Sequence, residues 1–149
     1  QKQNKLESLQ TVSDYVAALA AGDHHRRDRL RAAEFVVDFV HGDAFEDGPQ
    51  TAEETQMFWP AWFAAFPEMD YEVTRTVAAP SVVVTQWVFT GTQTQTLGSP
   101  VIEPPVPPSG RTIRFRGITV YDVAENGRIQ RETTYMDLAT LMVELGVTP

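Results

Sequence analysis

An α+β fold is predicted for this chain, with N-terminal helices packed on a strongly curved, mostly antiparallel sheet that wraps into a cone-shaped barrel. Three observations predict it. Apolar residues recur at helical spacing in the first part of the chain. The period then changes to β-branched and aromatic runs in four long segments of the second half. Turn residues join neighbouring runs, so the strands form a meander, and helices followed by strands read as α+β rather than α/β. Such a sheet wrapped over helices encloses one apolar interior, and a pocket opens at its mouth.

Leu6, Leu9, Val12, Val16 and Leu19 define a first helix over 6–21, stopped by Gly22. Leu30, Ala33, Val36, Val37 and Val40 predict a second helix across 26–40, broken at Gly42-Asp43. Ala44-Phe45-Glu46-Asp47 reads as a very short strand before Gly48-Pro49. Thr51-Ala52-Glu53-Glu54 is a capping-box pattern. The helix it opens carries Phe58, Trp59, Trp62, Phe63 and Phe66; Pro60 should kink or divide it, and Pro67 ends it. The four long strands are Tyr71 to Val77, Val82 to Thr92, Thr112 to Val123 and Arg128 to Tyr135. Ala79-Pro80-Ser81 and Glu125-Asn126-Gly127 supply turns between neighbours. Gly98 to Gly110 contains five prolines and reads as a loop, either a lid at the pocket mouth or a rigid connector. Asp137 to Leu145 closes the chain as a short helix with Gly146 as its cap. Residues 1–149 are expected to form a single domain, without repeats or linkers.

Composition narrows the function. The chain is 42% hydrophobic and 10% aromatic, a globular balance. Its net charge of −8 argues against nucleic acid, which needs a cationic stripe. The basic cluster from His24 to Arg31 reads as a solvated helix face. No apolar run is long enough to span a bilayer. With no cysteine, thiolate and disulfide chemistry are excluded, and a cytoplasmic location is expected. No leader is visible, though the start at Gln1 leaves open that residues precede it. The histidines lack metal-ligand spacing, no calcium-loop or Gly-x-Gly-x-x-Gly pattern occurs, and neither metal nor redox cofactor is expected.

Several segments resemble the SnoaL-like polyketide cyclase family. They are Phe66-Pro67, Gly91-Thr92, Pro107-Pro108-Ser109-Gly110-Arg111, Arg116-Gly117-Ile118 and Asn126-Gly127-Arg128-Ile129. Tyr135-Met136-Asp137-Leu138-Ala139 and Leu145-Gly146 complete the set, in family order over roughly 60–149. The N-terminal half is similar to ketosteroid isomerases of the same nuclear-transport-factor-2-like superfold. Tyr15 to Asp23 looks like the isomerase helix with its oxyanion-hole tyrosine, here Tyr15, and Asp43 to Asp47 like the stretch with its general base, here Asp47. The resemblance implies a cyclase or isomerase of secondary metabolism acting through an enol or enolate. A non-catalytic binder of the same superfold is the alternative, as is isomerase-like proton transfer. The family's acid/base aspartate corresponds to Thr134. Its partner histidine, and the isomerase's second oxyanion-hole group, correspond to Thr119. The Asp–Arg–Asp set of limonene epoxide hydrolases would fall on Phe89, Trp87 and Thr134, so that chemistry is absent.

Alternation along strands places Thr134 with Glu132 and Gln130 on one face, Thr119 with Gly117 and Tyr121, and Trp87 and Phe89 with Thr85. The predicted pocket is apolar and aromatic, with Tyr15, Asp47, Thr119, Glu132 and Thr134 as its polar groups. A carboxylate there loses hydration and its pKa rises, which suits proton transfer near neutral pH. Glu132 is the first such candidate, against pairing with Arg116 or Arg131 or pointing to solvent. Asp47 is the second, against a turn or cap role. Tyr15 could donate to an enolate oxygen, or serve as an aromatic core residue. Trp59, Trp62, Phe63, Trp87 and Phe89 form the wall for a hydrophobic small-molecule substrate. An apolar outer sheet face, including Val82, Val84 and Val88, predicts a homodimer.

Overall fold

The computed structural model describes residues 4–40 and 49–147. Helix α1 (Lys5–Ala20) starts at an Asn4 cap whose side chain accepts from the Glu7 amide at 2.9 Å. It stops at Gly22, whose φ of 70° suits a residue without Cβ. Its buried stripe runs through Ser8, Val12, Tyr15 and Leu19, while Leu6 is exposed. The predicted apolar line was therefore rotated on the helix, and the core face carries a serine and a tyrosine.

The expected helix across 26–40 is corrected. Helix α2 (His24–Arg29) ends at Leu30, and strand β1 (Arg31–Val40) follows at once. Phe35, Val36, Val37, Phe39 and Val40 are β-branched or aromatic and gain a sheet neighbour, so tertiary pairing overrides a helical spacing. The basic cluster is corrected too: Arg27 and Arg31 are buried rather than solvated. The strand expected at Ala44–Asp47 lies outside the described residues.

Strand β2 (Gln50–Thr51) leads into the predicted capping box, where the Glu54 amide donates to Thr51 Oγ1 at 3.2 Å and the Thr51 amide to Glu54 Oε1 at 3.1 Å. The box closes a turn, and helix α3 (Phe58–Ala65) begins afterwards with Pro60 in its first turn. Pro60 thus divides the pattern: the first turn has no intrahelical use for an amide proton.

Strands β3 (Glu68–Ala78), β4 (Val82–Thr92), β5 (Thr112–Val123) and β6 (Ile129–Met136) form the meander, and helix α4 (Leu138–Glu144) follows. The sheet order is β2-β1-β6-β5-β4-β3, antiparallel throughout except for the parallel β1–β6 pair. The sheet is open, not a closed barrel, and it has the cone architecture of nuclear-transport-factor-2-like folds. Gln130 was expected inward and is exposed. The β5–β6 register shifts between Asp122 and Val123, so Gln130 is an extra residue and the alternation restarts at Arg131.

Register stacks the inward residues in rows. Val37, Glu132, Tyr121 and Val83 form one, and Phe39, Thr134, Thr119 and Thr85 the next. Met136, Gly117, Trp87 and Val73 follow, then Phe115, Phe89 and Tyr71. Val37, Tyr121 and Val83 of the first row belong to an apolar cluster with Val12, Tyr15 and Phe35; the last row packs with Trp62, Phe66 and Leu141 in a second. The polar residues lie where the two clusters meet. That placement sets the site.

Candidate functional site

A cavity of about 410 Å³ occupies the interior of the cone, a size that suits a drug-sized ligand. Trp59, Trp62 and Phe63 reach it from α3, and Trp87 and Phe89 from β4. The proline-rich segment supplies Pro100, Val101 and Ile102, and α4 supplies Leu141 and Met142. The later part of that segment is tied to the end of β4. The buried Gln93 side chain donates to the Val106 carbonyl at 3.0 Å and to that of Pro107 at 3.2 Å, and accepts from Ser109 Oγ at 2.6 Å.

Glu132, Thr119 and Thr134 line one part of this mostly apolar wall, and Gln50 lines it as well. Trp87 Nε1 donates to Thr119 Oγ1 at 2.9 Å, and the Thr119 and Thr134 hydroxyls share a hydrogen bond of 3.0 Å. Both threonines are thereby satisfied by their neighbours. Glu132 is 1% exposed and accepts from the Tyr15 hydroxyl at 3.0 Å. It pairs with neither Arg116 nor Arg131; the latter bonds Asp38 at 2.9 Å. Burial raises its carboxyl above the usual glutamate range, opposed by the charge of Arg31, the hydrogen bond from Tyr15 and the charge of Arg27.

Tyr15 stands behind Glu132. It is fully buried, it does not line the cavity, and its hydroxyl proton goes to Glu132. Burial first, and then the neighbouring Glu132 charge, push its phenol far above the ordinary tyrosine value, so it stays neutral. Asp47 lies outside the described residues.

Two contributors escaped the sequence reading. Tyr71 lines the cavity, stacked on Trp87 at 5.4 Å between ring centroids. Burial raises its phenol well above the ordinary value, with nearby Glu132 adding to the effect. Its place on β3, two residues from Met69 and Val73 on an alternating face, was a usable signal. Arg31 donates to Tyr15 Oη from Nε at 3.1 Å and from Nη2 at 2.9 Å. Nothing in a basic cluster marks one arginine as inward. Among the described residues, no group of His, Asp or Glu is arranged to hold a metal ion.

The open sheet over helices is the architecture of nuclear-transport-factor-2-like cone folds. A family model for SnoaL-like polyketide cyclases matches residues 10–145, and the chain belongs to that family. Among solved structures, it is similar to IdmH, a proposed polyketide cyclase from Streptomyces antibioticus. The two share 28% identity and a TM-score of 0.73 over 94% of this chain and 99% of that one. AclR, a proposed hydroxylase from Streptomyces galilaeus, has 18% identity and a TM-score of 0.80 over 97% and 99%. A proposed SnoaL-like polyketide cyclase from Jannaschia sp. CCS1 has 20% identity and a TM-score of 0.79 over 100% and 98%. These last two show the fold alone. No curated protein matches the chain. Family membership supports a cyclase-type role in secondary metabolism. No helix among the described residues is long and apolar enough to cross a membrane.

Proposed function

We propose that this chain is a cofactor-independent acid/base enzyme that cyclises or isomerises a hydrophobic, polyketide-like substrate through an enol or enolate, with Glu132 moving the proton. One observation carries this reading: a buried carboxyl with a raised pKa stands in the wall of a mostly apolar cavity. As a carboxylate, Glu132 takes a proton from the carbon between two carbonyls. The C–H electron pair becomes the enolate C=C bond, and negative charge moves to oxygen. In a cyclisation that carbon then attacks a second carbonyl, forming the C–C bond, and the new alkoxide takes the proton back from Glu132. An isomerisation instead returns the proton to a different carbon. Neutral Tyr71, on the same cavity wall, is an available donor to the enolate oxygen.

The test is turnover of hydrophobic poly-β-ketones by wild type and Glu132→Gln. The amide keeps the shape but cannot relay a proton, so the rate should fall by about 10²–10⁴-fold, the range for one general acid/base. Ligand affinity should change far less, since the amide still hydrogen-bonds. Asp47→Asn is the parallel test of isomerase-like chemistry, and the larger loss identifies the base. Full activity in both variants would reject both assignments.

A second reading, a binder without chemistry, is supported by Thr119 and Thr134. By the sequence resemblance they correspond to the family's histidine and aspartate, and they hydrogen-bond each other. Tight binding of poly-β-ketones by wild type, with no conversion of any, would favour it.

A further inference from the structure

A tyrosine hydroxyl has one proton and two acceptor lone pairs. In Tyr15 both lone pairs are taken by Arg31, through Nε at 3.1 Å and Nη2 at 2.9 Å. Arginine cannot accept a hydrogen bond, so the Tyr15 proton has one destination among the described residues: Glu132 Oε2 at 3.0 Å. Oε2 is then held as an acceptor whatever the charge on the carboxyl. A carbonyl oxygen accepts better than a protonated one, so a proton bound to Glu132 is favoured on Oε1, which no described residue bonds.

Arg31 is itself held in place. Its guanidinium carbon lies 4.1 Å from the Phe35 ring centroid, and Nη1 lies 3.5 Å from Asp28. It is 7% exposed and is not part of the cavity wall. Its position follows from β1, whose pairing with β6 shifts between Arg31 and Val36.

The geometry points to Arg31 as a positioning residue: acting through Tyr15, it holds Glu132 Oε2 as an acceptor and so favours Oε1 for the exchangeable proton of Glu132. This deepens the proton-transfer reading of Glu132 and takes its catalytic meaning from it. The hydrogen-bond order itself belongs to the resting protein. Five titratable groups face Glu132: Tyr15 from α1, Arg27 from α2, Arg31 from β1, Tyr71 from β3 and Tyr121 from β5. Burial keeps the three tyrosines neutral, so the two arginines supply the positive charge. Of the two, Arg31 alone bonds Tyr15 among the described residues. A direct arginine–glutamate pair would lock the carboxylate ionised. An interposed neutral tyrosine instead leaves Glu132 able to take up and release a proton.

The experiment is a pH titration of the full chain labelled with [δ-¹³C]glutamate, read by NMR without any ligand. The Glu132 resonance is assigned by its loss in Glu132→Gln. Arg31→Met removes the charge at similar volume; Arg31→Gln, more tolerant of polar surroundings, is the companion should Arg31→Met not fold. Either should move the Glu132 midpoint upward by about one unit, the low end of what a nearby opposite charge supplies. Tyr15→Phe should raise it as well, and Arg31→Met should shift it less in the Tyr15→Phe background. An unmoved or lowered midpoint in a folded Arg31 variant would overturn the inference, as would equal Arg31→Met shifts in both backgrounds. Full activity of Glu132→Gln rejects the catalytic reading and leaves this titration standing. A silent titration beside an essential Glu132 rejects the role of Arg31 alone.

Discussion

Replacing Gly117 with alanine adds one methyl group where two neighbours, Trp87 and Tyr135, already stand. The new Cβ would lie 2.7 Å from the Tyr135 carbonyl oxygen and 2.8 Å from Trp87 Cη2, with Trp87 Cζ2 nearer still. The carbonyl belongs to the β5–β6 ladder and can shift only with strain in that ladder, and the indole must yield as well. That ring is stacked on Tyr71, set edge-on to Phe115 at 5.7 Å and tethered to Thr119 at 2.9 Å. Moving it breaks the tether. Overpacking costs about 1–3 kcal/mol and the lost hydrogen bond about 1 kcal/mol, so a loss of roughly 2–4 kcal/mol is expected. Urea unfolding of wild type and Gly117→Ala measures it. In a Trp87→Leu background the same methyl should cost less, because the clash with the ring is gone and only that with the Tyr135 carbonyl remains. A loss below about 0.5 kcal/mol, the scale of a bland surface change, would refute the packing described for this wall. So would an equal penalty in both backgrounds.

Glu132 binds its proton more tightly in the folded chain, because burial raises its pKa. Its stabilising contribution is therefore full below the ordinary glutamate value and is lost as pH rises through the raised folded value. The stability of wild type relative to Glu132→Gln should fall across that window and then level off; a difference that stays flat from about pH 4 to pH 8 would mean an ordinary carboxyl. A dimer is expected through the outer face of the sheet, where Val82, Val84 and Val88 are half-buried and Ile118 and Tyr135 exposed. Light scattering that gives a monomer mass across micromolar concentrations would reject it.

The strands were the most legible part of the fold. β4 and β5 begin and end at the predicted residues, since β-branched alternation bounded by turn residues has few other solutions. The inward rows followed from parity, which put Trp87, Phe89, Thr119, Glu132 and Thr134 on one face. Parity failed at Gln130, where a register shift inserts a residue that composition does not announce. β1 was illegible for a different reason. Leu30, Val36, Val37 and Val40 satisfy a helical period, and only the parallel pairing with β6, about a hundred positions away, decides for a strand. The same long-range pairing carries Arg31 inward to Tyr15, so a residue that reads locally as a solvated cation sits in the buried network. Tyr71 was within reach of the alternation rule; Arg31 was not.

The central claim, that Glu132 moves a proton to and from carbon inside this cavity, is tested most directly by deuterium exchange. A hydrophobic 1,3-diketone in D₂O is incubated with wild type and with Glu132→Gln, and loss of the proton between the carbonyls is followed by NMR. Wild type should exchange that proton well above the buffer rate, and Glu132→Gln should be slower by about 10²–10⁴-fold while still binding the diketone. Exchange by Glu132→Gln at the wild-type rate would contradict the claim.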